Sequence, residues 1–359
     1  MTQTMQSPVD TDALIIGAGP VGLFQVFELG LLGIHAHVID ALPHAGGQCV
    51  ELYADKPIYD IPALSVCSGR ELVERLMAQA APFKPDFHLH QTVDSVERQT
   101  DQRYRVQTSL GMVFLTKTLF IAAGVGAFLP RTLKVEGLEA FIGTQLHYQA
   151  ANLAVAAGKS VVIVGGDDCA LESAIALCHG NAETNELLAQ RVTLIHRRDA
   201  FQAQTETTAK FQALRSAGAV QFIAGQITGF GSVNQRLTSV EVTDTSDKPH
   251  SVNLDVLFPY LGLSPKLGPI SQWGLAMERK QLPVNTATFE TNTHGIFAVG
   301  DINTYPGKKK LIVCGFHEAT LAAYGASEII FPDQKTPLQY TTTSTALHKL
   351  LGVAREPGF

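Results

Sequence analysis

Apolar runs separated by glycine and polar residues recur along the chain, and their lengths distinguish strands from helices. Ala13–Ile16, Ala36–Ile39, Leu119–Ala123, Val161–Val164 and Val192–Ile195 are short and almost wholly apolar, the pattern of parallel strands covered on both faces. The stretches 21–32, 69–80, 170–178 and 315–330 repeat apolar or small residues at helical spacing, with Ser68 placed to cap the second of them. Shorter β-rich runs fall at 87–93, 103–108 and 112–115, and alternating strands at 220–230 and 238–243; 254–260 returns to the linker region, and 295–301 is a strand ending in Gly-Asp. Glycines and prolines between Ala45 and Pro62 mark a long extended loop, 125–131 reads as a linker, and 331–359 as a polar, threonine-rich tail. Strand, helix and strand follow one another twice, once from Ala13 and again from Val161. The expected fold class is therefore α/β, with two Rossmann-like, three-layer nucleotide-binding domains.

Composition supports that picture. At 359 residues and 45% hydrophobic, the chain can bury a core large enough for two domains, and its 31 glycines suit many tight strand-to-helix turns. A net charge of −6 argues against a nucleic-acid partner. The polar segment 1–10 lacks the basic start and apolar centre of a secretory signal, and no apolar run reaches the length of a membrane span. Five scattered cysteines, without a C-x-x-C, fit a reducing cytoplasm. A cytoplasmic protein with no membrane contact is expected.

The chemistry concentrates at the two strand-to-helix turns. The first, Gly17-Ala-Gly19-Pro-Val-Gly22, is a G-x-G-x-x-G. There Gly17 permits a tight turn, Gly19 lets a pyrophosphate approach the backbone, and Gly22 brings helix and strand together. Asp40 closes the next strand, where an acid accepts hydrogen bonds from ribose hydroxyls. The second turn, Gly165-Gly166-Asp167-Asp168-Cys169-Ala170, opens a unit whose second strand ends in His196-Arg197-Arg198. Two guanidiniums at that point match an adenosine 2′-phosphate, which distinguishes NADP from NAD. Asp167 occupies the position of the middle glycine. Either its carboxylate turns away from the nucleotide, or bulk and like charge weaken binding.

Taken in order and spacing, these motifs resemble the thioredoxin-reductase-like ferredoxin (flavodoxin)–NADP reductases of bacteria, from Ala13 to about Gly325. Gly46-Gly-Gln48 with Leu52-Tyr53, Ile58-Tyr-Asp-Ile-Pro62, Gly124-Val-Gly-Ala-Phe128-x-Pro-Arg131, His196-Arg-Arg-Asp199, Gly300-Asp301 and Tyr305-Pro-Gly-Lys308 carry the resemblance. It implies a homodimer with FAD held by residues 1–124 and 265–359, the latter including the tail, and NADPH held by residues 125–264. By position, Gly17, Gly19, Gly22 and Asp40 would meet the FAD pyrophosphate and ribose. Gln48 would lie along the flavin and ribityl chain, and Tyr53 would stack on the isoalloxazine. Val93 would contact the adenine through its backbone, Phe128 would line the site, Asp301 would bind the ribityl chain, and Ser344 would sit near the flavin. Gly165, Gly166, His196, Arg197 and Arg198 would hold NADPH. No metal is implied, and no protein acid or base is obligatory.

The chain departs from that family at Asp167, at Gln202 (often arginine), and at Thr343, where an aromatic or imidazole often covers the flavin, which leaves that face either open or covered by His348. The expected reaction joins NADPH to an acidic one-electron carrier, ferredoxin or flavodoxin, steered by Lys308, Lys309 and Lys310. The alternative is a flavoprotein with weak NADPH turnover that acts as a redox sensor or binding partner. Thioredoxin reduction is disfavoured because it needs a C-x-x-C.

Overall fold

The computed structural model describes residues 7–148, 153–179, 189–334 and 340–353. The chain divides into two compact units, one made of Met1–Ala127 with Pro265–Phe359, the other of Phe128–Ser264.

The first unit begins with strand β1 (Val9–Ile16), helix α1 (Pro20–Leu31) and strand β2 (Ala36–Ile39). The loop after β2 carries a short helix, α2 (Gln48–Glu51), and two paired two-residue strands, β3 (Pro57–Ile58) and β4 (Cys67–Ser68). Helix α3 (Gly69–Ala80) starts in a capping box: Glu71 N–H donates to Ser68 Oγ at 3.2 Å, and Ser68 N–H donates to the Glu71 carboxylate at 2.7 Å. Strands β5 (Asp86–His88), β6 (Val93–Arg98), β7 (Tyr104–Thr108) and β8 (Val113–Ile121) follow.

Two expectations are corrected here. The run 87–93 is not one strand, because the chain turns between β5 and β6. His90 takes φ +57°, and the N–H groups of His90 and Gln91 donate to the carbonyls of Leu42 and Asp40. Conversely, 112–115 and 119–123 contribute to a single strand, β8. Its polar residues Thr116 and Thr118 are buried, with their hydroxyls donating to Thr118 O and Asp12 O at 2.8 Å each, so they interrupt the apolar pattern without breaking the ladder.

Strand β9 (Ala127–Pro130) lies at the boundary with the second unit. That unit contains β10 (Ser160–Gly165), α4 (Asp168–His179), β11 (Arg191–His196), α5 (Thr205–Ser216), β12 (Gln221–Val233), β13 (Arg236–Asp244), β14 (Pro249–Asn253) and β15 (Val256–Tyr260). Its sheet runs β14-β13-β12-β11-β10-β15. The first residues of β12 pair in parallel with β11, and from Gly225 the strand pairs antiparallel with β13. Strand β16 (Leu263–Lys266) pairs with β9.

The first unit resumes with β17 (Leu282–Pro283), β18 (Ile296–Ala298), β19 (Asn303–Thr304), α6 (Ile312–Ile330) and α7 (Thr345–Leu350). Its main sheet runs β5-β2-β1-β8-β7-β6, and β18 adds in parallel to the second half of β8. The parallel part, β5-β2-β1-β8-β18, is a Rossmann sheet. α1 packs against both α3 and α6, and small residues on α6 (Ala322, Ala323, Ala326) join the core with Phe120, Phe289 and Phe297. Among the described residues, no helix is long and apolar enough to cross a membrane.

Candidate functional site

The turn from β1 to α1 has the geometry that its glycines allow. Gly17 takes φ +110°, and a Cβ there would lie 2.4 Å from Ala122 O. At Gly22 a Cβ would lie 1.9 Å from Gly17 O, so only hydrogen fits. At Gly19 a Cβ would meet no atom within 4 Å, so the backbone there is open to a ligand. Gly19 is also the N-cap of α1 and offers no side-chain acceptor, which leaves first-turn N–H groups and the positive end of the helix dipole facing outward. These features fit a pyrophosphate.

Asp40 lies beside this turn. Its Oδ2 accepts from Ala18 N–H at 2.6 Å and its Oδ1 from Leu42 N–H at 2.8 Å. Burial pushes its pKa up, and the two N–H groups oppose that rise. Gly47 approaches from α2, with a Cβ there 3.1 Å from Gly19 Cα. Gln48, the first residue of α2, places its side-chain amide beside Gly124, where a Cβ would lie 3.2 Å from Nε2.

Tyr53 is half-buried in the cluster of Leu23, Cys49, Ile61 and Leu72, and its hydroxyl accepts from the Cys49 thiol at 3.4 Å. Burial raises its pKa, helped by Cys49 and by the nearby carboxylates of Asp301 and Asp60. The structure therefore brings Tyr53 and Asp301 into one electrostatic neighbourhood. All five cysteines are free, and burial pushes the Cys49 thiol up, the behaviour of a packing residue. Val93 opens β6 as a buried residue, near the turn where Gln91 N–H meets Asp40 O. Phe128 lies on β9, with its side chain outside the described residues. Ser344 is buried and caps α7, accepting from Leu347 N–H at 3.2 Å; no hydrogen bond among the described residues ties it to the other candidates.

Sequence reasoning missed the device that holds Asp301. Glu318, a fully buried acid on α6, accepts from Gly300 N–H at 2.7 Å, Asn303 Nδ2 at 2.8 Å and Tyr305 OH at 2.9 Å, and pairs with Lys308 Nζ. Lys308 also donates to Gly300 O at 2.9 Å. Its side chain is only 6% exposed. This corrects the expected basic patch: Lys308 is an internal counter-ion, and only Lys309 and Lys310 are exposed. The available signal was Glu318, an acid set among small and apolar residues in the first half of 312–330, since a buried carboxylate requires a partner.

The second unit's turn differs from the first. Asp167 Oδ1 accepts from Ala170 N–H at 3.1 Å, so its carboxylate folds back and caps α4. It therefore holds one of the free donors, and its negative charge, at the helix end that a pyrophosphate would use. Asp168 Oδ1 accepts from Gln204 N–H at 2.8 Å, and Gly166 O from Gln202 N–H at 2.7 Å. The His196 ring lies against Gly166, where a Cβ would be 2.6 Å from Nε2. Burial lowers the His196 pKa, and the charges of Arg197 and Arg198 lower it further, leaving a neutral ring at neutral pH. Gly165 packs close to Tyr260. Arg197 and Arg198 are exposed, while the neighbouring Asp199 is engaged by Arg215 at 2.9 Å. The paired guanidiniums fit a 2′-phosphate, and the turn fits a nucleotide with Asp167 as a competing anion.

The family model for the pyridine nucleotide-disulphide oxidoreductases matches residues 11–319. Ferredoxin–NADP reductase of Polaromonas sp. is 58% identical over 346 residues, 96% of this chain and 93% of that protein. Ferredoxin–NADP reductase of Albidiferax ferrireducens is 58% identical over 348 residues, 97% of each chain. Among solved structures, the bacillithiol disulfide reductase of Staphylococcus aureus aligns with a TM-score of 0.57 at 17% identity, covering 91% of this chain and 100% of that one, a likeness of fold. The turns, the two Rossmann sheets and the near-full-length relatives agree: this chain belongs to the pyridine nucleotide-disulphide oxidoreductase family, among its ferredoxin–NADP reductases.

Proposed function

We propose that the protein is an FAD-dependent oxidoreductase passing electrons between NADPH and a one-electron carrier, ferredoxin or flavodoxin. The observation that carries this reading is the 58% identity to ferredoxin–NADP reductase across 97% of both chains. FAD, when bound, accepts a hydride and gives electrons out singly, which is the chemistry such a junction needs. The first unit holds FAD: the open backbone at Gly19 and the α1 N-terminus take the pyrophosphate, Asp40 the ribose, Gln48 the ribityl side. Tyr53 and Asp301 flank the flavin and its chain, and Glu318 with Lys308 fixes the Gly300–Asp301 peptide. In the second unit, Gly165 and Gly166 lie under the nucleotide, His196 supports the turn as a neutral ring, and Arg197 and Arg198 select the 2′-phosphate.

The finer points follow from the same reading. The enzyme is a cytoplasmic homodimer, its carrier is acidic, and Lys309 and Lys310 contribute to steering it. One observation favours a second reading, a flavoprotein of weak NADPH turnover: Asp167 occupies the α4 N-terminus. NADPH-dependent reduction of purified ferredoxin or flavodoxin by the FAD-loaded protein tests the proposal. Rapid, NADPH-preferring reduction of either carrier supports it. Failure to reduce both, with FAD bound, favours the sensor reading.

A further inference from the structure

At one edge of the first unit's sheet, β2 and β5 run parallel with His37 opposite Asp86 and Ile39 opposite His88. Alternate residues of a strand share a face, so His37, Asp86 and His88 project together, and His35, two residues before His37, joins them. H-x-H on one strand thus meets D-x-H on the next. Asp86 Oδ2 lies 3.6 Å from His35 Nε2 and 3.8 Å from His37 Nε2. Ligand atoms of these three residues all lie within 4.8 Å of one another, and no other such group of His, Cys, Asp or Glu occurs among the described residues.

Those separations suit a metal better than hydrogen bonds. Two ligands at zinc distances on a tetrahedron are about 3.3–3.4 Å apart. A shift of a few tenths of an ångström in two partly exposed side chains would bring Asp86 into range. His37, with a side chain 13% exposed, is the fixed member. Its Nδ1 lies 3.0 Å from His88 Nε2, and the two rings are stacked with centroids 5.3 Å apart. With the proton on Nδ1 donated to His88, the lone pair of Nε2 is left facing Asp86; His88 then takes the part of the acceptor that orients a ligand histidine through its other ring nitrogen. His35 Nε2 lies 3.0 Å from Lys84 O, an exposed contact that metal binding would replace.

We infer that His35, His37 and Asp86 form a binding site for a borderline divalent cation of the zinc class, with His88 as the positioning residue and water completing the coordination. Two imidazoles and a carboxylate favour zinc, copper or nickel over magnesium or calcium. The bound ion would tie the edge strand β5 to β2. It would also act close to the dinucleotide turn, since His88 O accepts Asp40 N–H at 3.1 Å.

The test is zinc titration of the FAD-loaded protein against a chromophoric chelator. It compares wild type with His35→Gln and Asp86→Asn, both exposed positions, and with His250→Gln, which removes a surface His–Asp pair in the other unit. Unchanged flavin content shows that the variants are folded. The expected result is one zinc per chain in the wild type and in His250→Gln, with affinity reduced about tenfold or more in each of the other two. No zinc uptake by the wild type, or a smaller loss in either ligand variant, overturns the site.

Discussion

Replacing Lys308 with methionine is the sharpest probe of the flavin-side scaffold. The substitution keeps the length and apolar stem of the side chain but removes an ammonium that is almost wholly buried and serves two acceptors, Glu318 and Gly300 O. Glu318 would keep three donors, from Gly300, Asn303 and Tyr305, yet it would lie fully buried without a counter-charge. Breaking a buried pair from one side costs about 3–5 kcal/mol, and the unsatisfied Gly300 carbonyl adds about 1 kcal/mol. The three remaining donors place the expected loss near the lower end, about 3–4 kcal/mol. Because Gly300 leads into Asp301, FAD should also be held less tightly. Urea unfolding, followed together with flavin release, measures both effects. Glu318→Gln alone should also destabilise, since an amide N–H₂ would have to face donors on one side. Lys308→Met with Glu318→Gln should lose less than the sum of the singles. A loss below about 1 kcal/mol for Lys308→Met, with FAD retained, would refute the reasoning.

Other outcomes follow from the same geometry. Arg197→Ala with Arg198→Ala should weaken NADPH binding far more than NADH binding in paired titrations, and equal losses would count against 2′-phosphate recognition. Asp167→Gly should tighten NADPH binding by removing the carboxylate that caps α4, at a stability loss of only a few tenths of a kcal/mol because glycine is itself a tolerated cap; unchanged or weaker affinity would show that the carboxylate does not compete with the nucleotide. Glu28 on α1 has its pKa raised by burial from 4.5 to about 7, against a hydrogen bond from Thr320. The unfolded chain releases that proton near the lower value and the folded chain near the higher one. The ionised side chain therefore destabilises the fold increasingly from about pH 4.5 to 7, and fully above that window. Glu28→Gln should accordingly raise stability by about 2–3 kcal/mol at pH 8 and hardly at all at pH 4. An equal effect at both pH values in urea unfolding would be the contrary result.

The sequence displays its fold where burial on both faces leaves uninterrupted apolar runs, as in Ala13–Ile16 and Val161–Val164, and where a cap is local, as at Ser68. It conceals the fold where the deciding contact is distant. Thr116 and Thr118 look like a break in a strand, yet their hydroxyls are satisfied within β8 and by Asp12 of β1. Helix α5 buries only Thr207 and Phe211, so its periodic signal is faint. At the candidate site, glycine spacing, Asp40 and the His-Arg-Arg strand end were legible because each acts at a fixed offset along the chain. Lys308 was misread because its neighbours Lys309 and Lys310 made it look like part of a solvated run, while its partner Glu318 lies nearly two turns inside α6. For Asp167 the sequence posed the alternatives, and the structure shows the carboxylate folded onto Ala170 N–H.

The most direct test of the central claim is anaerobic mixing of the FAD-loaded protein with NADPH, with the flavin absorbance followed by stopped flow. Prompt bleaching, much faster with NADPH than with NADH and reversed on adding oxidised ferredoxin or flavodoxin, is the expected result. A flavin that stays oxidised at millimolar NADPH would contradict the reductase reading.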